Sequence, residues 1–360
     1  MRVPDLPLYD EPQAIPTDWV AAVLRHAGFD VELRGFTYTP VGTGQMADNY
    51  RLQLDYAAAV PGAPTTLVVK VPASNPTSRQ SGASGAYLTE VNFYQQLASQ
   101  LAIRTPRCLH ADISPENDGF VLVLEDLAPC EQGDQIRGAS VAEAEIALRN
   151  LAGLHAPSWA GGALENADWV GSASPEVAAM MSQILIASTE TFIERYADRM
   201  HPDDAPVLRR FAAGCERWLL DSPGRRALVH GDYRLDNLLF ATDAGGAPVA
   251  TVDWQTVAWG SPGRDVAYFL GNSFPPELRR THEGALLAAY RDELAKLGVG
   301  GYDADACLED YRHGLFQGPL VTVLGSIAVE PTERGNDMFM AMCSRACQAI
   351  RDHESDALLA

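Results

Sequence analysis

The hydrophobic period changes once along this chain, and that change limits the folds open to it. Before Leu127-Ala128-Pro129 the apolar residues sit in short β-rich runs at 31–41, 50–57, 65–71, 107–112 and 119–124. Leu67-Val68-Val69-Lys70-Val71 is compact and β-branched, the composition of a buried strand. Two helical patterns punctuate these runs. One covers 17–27 with Thr17 as N-cap; the other covers 86–101, with Leu88, Val91, Phe93, Tyr94 and Leu97 on one face. Beyond the switch, helical spacing takes over. Ser140 followed by Glu143 predicts a capping box opening a helix that runs to about Leu154. Further helices are predicted over 175–200, 204–220, 276–297, 305–329 and from 336 to the C-terminus. Strands segregated from helices predict an α+β chain. Its 360 residues exceed the roughly 250–300 that one core usually serves, so two lobes are expected. The first, 1–128, would hold a five-stranded sheet plus a helix; the second, 129–360, would be helical.

Charge narrows the partners. Lys and Arg total 27 against 47 Asp and Glu, a net −20, which repels phosphate backbones and anionic lipid. Neither a nucleic-acid partner nor a membrane partner is expected. A cationic substrate would be favoured, although solubility alone accounts for the acidity. The six cysteines form no C-x-x-C pair, and Cys343 with Cys347 lacks neighbours to complete a metal site, so reduced, packed thiols are expected. Met1–Asp10 has no apolar h-region, and the longest uncharged stretch, 314–329, is too short to span a bilayer. A cytoplasmic protein is the expectation.

Within the helical part lies one β island, predicted at 227–230, 237–240 and 249–253 as a small hairpin. Its first strand feeds His230-Gly231-Asp232, a polar loop follows to Asn237, and an apolar strand leaves. Asp253 then stands at the next strand end. Phosphoryl transfer needs this combination: one carboxylate to accept the acceptor hydroxyl proton, and an amide with a second carboxylate to hold magnesium on the nucleotide phosphates. The D-x-x-x-x-N spacing with a downstream Asp matches that chemistry.

The stretch from His230 to Asn237 resembles the H-G-D-x-x-x-x-N signature of the aminoglycoside phosphotransferase and choline kinase group, a branch of the protein-kinase-like fold. Three further stretches look closest to the ecdysteroid-kinase-like branch. They are Val123-Leu124-Glu125-Asp126-Leu127, Leu151-Ala152-Gly153-Leu154-His155-Ala156, and Asp253-Trp254-Gln255 followed by Pro262-Gly263-Arg264-Asp265-Val266-Ala267-Tyr268. The resemblance spans about residues 35–270 and implies a bilobal fold. It implies Asp232 as catalytic base and Asn237 and Asp253 as magnesium ligands. Lys70 would hold the α- and β-phosphates, with Glu90 pairing to it. Glu125, Asp126 and Leu127 would form the hinge against the adenine, and Gly42 and Gly44 the loop covering the phosphates. Mg2+ and ATP are the implied cofactors, with GTP as the alternative donor.

Local readings stand beside these. His230 orients the loop, His155 is a packed histidine, Asp236 a turn or surface carboxylate, Asp265 a brace for the loop or a helix-start acid, and Arg234 a phosphate partner or a solvent-facing arginine. Trp254-Gln255 replaces the Phe-Gly of protein kinases, and no A-P-E arrangement follows, which argues for a small-molecule acceptor. The apolar residues at 315–327 and 338–342 read as core, or as the wall of a cleft for an apolar alcohol such as a sterol or polyketide. The expected activity is ATP-dependent phosphorylation of a small, apolar alcohol. The alternatives are an aminoglycoside or macrolide antibiotic kinase and a non-catalytic nucleotide-binding module. Sequence alone names neither the acceptor nor the oligomeric state.

Overall fold

The computed structural model describes residues 2–4, 6–42, 46–160, 164, 167–221 and 223–359. They form two compact units: Met1–Gln100 with Thr105–Pro129 and Val252–Thr256, and Leu101–Arg104 with Cys130–Thr251 and Val257–Ala360.

The first unit is built on an antiparallel sheet. After helix α1 (Thr17–His26) come β1 (Leu33–Pro40), β2 (Ala47–Tyr56), β3 (Thr66–Pro72), β4 (Cys108–Ile113) and β5 (Phe120–Glu125). Their order is β1-β2-β3-β5-β4, with β3 at the centre. Leu67, Val69 and Val71 share one face of this central strand and are fully buried toward α1, while on the other face Val68 is half-buried and Lys70 buried. The apolar face of α1 (Trp19, Val20, Val23, Leu24) packs on Leu52, Leu67, Val69, Val121 and Val123. The helix expected at 86–101 starts earlier. A first piece, α2 (Pro76–Ser81), is capped by the Asn75 side chain, and the chain continues through widened turns into α3 (Tyr87–Asn92). Gly85, at φ +141°, breaks the helical backbone between them, and the Pro/Ser/Gly-rich composition masked the early start.

The second unit is mainly helical. In chain order it has β6 (Glu131–Gln132), α4 (Val141–His155), α5 (Pro175–Arg195), α6 (Asp204–Leu220), β7 (Ala227–Val229), β8 (Leu238–Thr242), β9 (Gly245–Thr251) and β10 (Ala258–Gly260). Five more helices follow: α7 (Gly263–Ser273), α8 (Pro276–Lys296), α9 (Ala304–Gly314), α10 (Gln317–Ala328) and α11 (Glu333–Asp352). The capping box forms with both bonds, Glu143 N–H to Ser140 Oγ at 3.2 Å and Ser140 N–H to the Glu143 carboxylate at 2.7 Å.

The β island is more divided than a single hairpin. β8 and β9 do form one, joined by β6, but β7 pairs with β10 instead. The loop 230–237 therefore hangs between two small sheets. The single helix expected over 305–329 is two, because α9 ends against α7. A Cβ on Gly314 would overlap the Gly263 carbonyl, and one on Gly263 would overlap the Asp310 carbonyl, so these backbones touch. Helix α7 was anticipated in sequence only through Asp265 as a helix-start acid; it is short, Gly263–Ser273, and every residue but Arg264 is buried. Among the described residues, no helix is long and apolar enough to cross a membrane.

Candidate active site

In the first unit, β3 delivers Lys70 to a site that is 6% exposed. Its ammonium lies 2.7 Å from Glu90 on α3 and 3.0 Å from Asp253. Burial opposes the charge on Lys70, but Asp253 and Glu90 outweigh it and hold the ammonium above its ordinary pKa. Burial raises Glu90, with only partial compensation from Lys70. Two carboxylates that lie far apart in sequence, Glu90 and Asp253, thus share one cation.

Asp253 has φ +67°, a left-handed backbone that costs a non-glycine residue of order 1–3 kcal/mol and clusters at functional sites. The residues after it fix that conformation. Trp254 is fully buried, stacks on Phe93 at 3.9 Å and 8°, and donates its indole N–H to Thr105 Oγ1 at 2.9 Å. Gln255 donates to the Glu90 carboxylate at 3.3 Å. The Trp-Gln pair is a clamp on the Lys70–Glu90–Asp253 cluster.

Nearby on the same sheet, Glu125 pairs with Leu67 of β3 and its carboxylate accepts from the Arg107 amide at 2.9 Å. Asp126 makes a bidentate pair with Arg51 at 2.6 and 3.1 Å. Burial works against that carboxylate, but Arg51 and the Ala128 amide hold its pKa below the usual value. Leu127 is buried. Gly42 follows β1 in an exposed left-handed turn at φ +78°, while Gly44 lies outside the described residues.

In the second unit, Asp232 is presented by the loop between β7 and β8. Tyr268 of α7 donates to Oδ1 at 2.8 Å, and Asn237 Nδ2 and Arg234 Nε donate to Oδ2 at 2.9 and 3.1 Å. The carboxylate side chain still keeps 18% exposure. Oriented yet accessible, it is placed to accept a proton. Asn237 ends a one-turn helix, Leu235–Asn237, and also donates to the Asp232 carbonyl at 2.9 Å. Its Oδ1 has no partner among the described residues and remains an oxygen donor.

Four buried groups pin this loop. Asp265 accepts from the amides of His230 (2.6 Å) and Gly231 (2.9 Å). His155 bridges Asp265 and the Tyr290 hydroxyl, which gives the packed histidine a task. Burial would raise the Asp265 pKa, but His155, His230 and the His230 amide together hold it below the usual value. Tyr233 donates to the Ala147 carbonyl of α4 at 2.7 Å, Gln135 brackets Leu235 and Asp236, and Gln317 donates to the Gly231 carbonyl at 2.7 Å. Gln135 and Gln317 carried no sequence signal, and Tyr268 lay in a family-like stretch without an assigned role, because a glutamine or tyrosine becomes a loop anchor only through distant folding. Two local expectations change. Asp236 is 5% exposed and paired to Arg334 at 3.2 Å, so it is no surface carboxylate. Arg234 faces Asp232 and Met338 instead of solvent.

A sheet-bearing unit with a Lys–Glu pair and a helical unit with an anchored H-G-D-x-x-x-x-N loop are the layout of a family of kinase-like small-molecule phosphotransferases. The chain belongs to the ecdysteroid kinase-like family, whose model matches residues 42–298. Its fold is that of solved kinase-like structures. A candidate aminoglycoside phosphotransferase of Ralstonia eutropha JMP134 aligns over 94% of this chain and 98% of its own, with TM-score 0.53 and 15% identity. The choline kinase of Cryptosporidium parvum aligns over 88% and 90%, with TM-score 0.52 and 12% identity. The GDP complex of aminoglycoside 2'-phosphotransferase-IIIa aligns over 92% and 99%, with TM-score 0.51 and 14% identity. Among curated proteins, mouse acyl-CoA dehydrogenase family member 10 is 37% identical over 92 residues. The match takes in 23% of this chain and 8% of that protein; human family member 11 matches at 30% over 79 residues, 22% of this chain and 10% of its own length.

Proposed function

We propose that this protein transfers the γ-phosphoryl group of ATP to a hydroxyl of a small, apolar alcohol. The observation that carries this reading is Asp232, whose carboxylate is held by three donors on a pinned loop while staying accessible. Asp232 accepts the hydroxyl proton as the alcohol oxygen attacks the γ-phosphorus; the bond to the β-phosphate oxygen breaks and ADP leaves. Lys70, kept charged by its two carboxylates, holds the α- and β-phosphates, and Glu90 fixes its direction. The backbone of Glu125–Leu127 meets the base, and Gly42 and Gly44 belong to the loop over the phosphates.

Asn237 Oδ1 and the Asp253 carboxylate are hard oxygen donors, the few protein ligands that Mg2+ takes when phosphates and water supply the rest, so they fit that ion. Bound there, magnesium would neutralise charge building on the transferred phosphate. GTP is the alternative donor, and aminoglycoside 2'-phosphotransferase-IIIa has been solved with GDP.

An apolar acceptor is favoured by the surroundings of Asp232. Its neighbouring arginine touches Met338, on a helix that also carries Phe339, Met340 and Met342. The nearby carboxylate of Asp236 is already paired to Arg334, which leaves less charge for a polycation. Most of the C-terminal apolar residues are core, yet Val321 and Leu324 are half-buried and Ile327 is 40% exposed. The family's own name points to a steroid alcohol. The net −20 favours an aminoglycoside as the second reading. A mass-spectrometric transfer screen tests this: protein, magnesium and ATP or GTP against sterols, polyketides, aminoglycosides and amino alcohols. A phosphorylated apolar alcohol, absent with Asp232→Ala, is expected. A phosphorylated aminoglycoside would overturn the acceptor, and tight nucleotide binding with no product from any class would favour a binding module.

A further inference from the structure

The second unit contains a cavity of about 270 Å³ that shares no lining residue with the loop 230–237. It lies where the end of α6, the start of α7 and the end of α9 meet β10. Two of its lining side chains are buried polar groups. Ser261 is 2% exposed and its hydroxyl has no partner among the described residues; His313 is 8% exposed, and its ring faces the Trp218 and Asp221 carbonyls without a hydrogen bond of normal geometry. Such groups in a native protein call for a water or a ligand.

Positive charge surrounds them. Arg225 is neutralised by Asp310 at 2.6 Å and by Glu309. Arg226 and Arg264 have no carboxylate partner among the described residues. Arg264 directs Nε and Nη2 to the neutral Gln317 Oε1, at 2.9 and 2.7 Å, and lies 5.1 Å above Trp218. Arg226 lies 4.7 Å above Trp259. Burial without a counter-ion pulls the Arg264 pKa below its usual value, with Asp265 opposing, and burial pushes His313 down to about 4. A half-buried cation with no carboxylate bonded to it among the described residues is stabilised by an anion, and a neutral imidazole supplies one N–H to it.

We infer that this cavity binds a small molecule bearing one oxyanion, phosphate or carboxylate, on a flat body. Arg264, Arg226, Ser261 and His313 supply the donors, and the indoles of Trp218 and Trp259 form the walls. Its volume exceeds the roughly 150 Å³ that holds a benzene ring, so an aryl body with its oxyanion fits. This site stands apart from the proposed nucleotide chemistry and does not depend on it.

Calorimetric titration of the full chain at low salt, with phenyl phosphate, benzoate and phenol, tests the inference. The Lys70→Met variant serves as background, so that phosphate binding at the proposed nucleotide site is suppressed. Saturable one-to-one binding of phenyl phosphate or benzoate is expected, with the tighter of the two naming the oxyanion, and phenol failing to bind. Arg226→Gln, an exposed position that spares folding, and Ser261→Ala should each weaken binding about tenfold. Binding of neither anion, equal binding of phenol, or unchanged affinity in both variants would overturn it. So would displacement by ADP, which would assign the heat to the nucleotide site.

Discussion

Tyr268 donates its phenolic hydrogen to Oδ1 of Asp232 across 2.8 Å, from a fully buried position on α7. Asn237 donates to the other carboxylate oxygen and Arg234 Nε lies 3.1 Å from both, so Tyr268 gives Oδ1 its shortest bond among the described residues. Tyr268→Phe keeps the ring and removes only that bond. A hydrogen bond to a charged group contributes about 1.5–3 kcal/mol, so kcat should fall about tenfold or more while nucleotide affinity holds. Steady-state kinetics beside a nucleotide titration checks this. An unchanged kcat would mean the bond is only a packing feature.

Asp232→Ala should lower kcat by about 10²–10⁴-fold if the carboxylate is the general base. Nucleotide affinity should stay near that of the parent, because Asp232 lies on the acceptor side of the chemistry. Single-turnover assays with any acceptor that passes the transfer screen would show it. Loss of nucleotide binding in step with activity would instead mark the loop as structural.

At Lys70 the effect should depend on pH in a definite sense. Lys70→Met leaves Glu90, 1% exposed, facing Asp253 with no cation, and breaking such a pair costs about 3–5 kcal/mol. The Glu90 pKa is raised in the folded protein by burial, and removing Lys70 takes away the main opposing effect. A raised carboxyl pKa gives stability that is full below the ordinary value near 4.5 and declines as pH rises through the folded value. The variant's urea midpoint should therefore approach the parent's in acid and fall away from it toward neutrality. A gap independent of pH would contradict the assignment.

Asp265 should behave with the opposite sign. Its folded pKa is lowered, so its stabilisation is present above the ordinary value near 3.8 and vanishes as pH falls below it. Asp265→Asn turns a donor toward the His230 or Gly231 amide. The cost at pH 7 should be about 1–3 kcal/mol, shrinking below pH 4. Denaturant unfolding at pH 3 to 7 checks this. Activity should fall too, since both amides position the residues just before Asp232.

What could be read from the sequence was what is local. The β-branched run around Lys70, the capping box at Ser140 and the H-G-D-x-x-x-x-N loop each depend on neighbours within a few residues, and each marks its own place. The class of fold followed from the change of period. What stayed hidden depends on distant partners. The helix α7 is only eleven residues long, and although Asp265 could be read as a brace for the loop, the bond from Tyr268 to Asp232 joins residues 36 apart. The pairing of β7 with β10 skips over β8 and β9, and no pattern in three-residue strands announces it. Gln135 and Gln317 anchor the loop through single side-chain bonds, which composition cannot distinguish from solvated glutamines. The exchange of Phe-Gly for Trp-Gln was visible, but its consequence needed Phe93 and Thr105 beside it.

The break between α9 and α10 yields a prediction about how the second unit holds its loop. Gly314 and Gly263 let two helix backbones meet with no side chain between them, since a Cβ on either would overlap the other segment's carbonyl. Backbone atoms cannot yield as a flexible side chain does. Gly314→Ala must therefore push α9 from α7, at about 1–3 kcal/mol for overpacking, well above the favourable helix propensity of alanine at about 1 kcal/mol. The displacement would begin one residue from Arg264 and three from Gln317, whose amide donates to the Gly231 carbonyl. Gly314→Ala should lower the thermal midpoint and kcat together, whereas Gly284→Ala, with open space around its Cβ on α8, should leave kcat near the parent and the midpoint no lower. Equal tolerance at the two positions would show that the close approach of α7 and α9 is not what holds the loop.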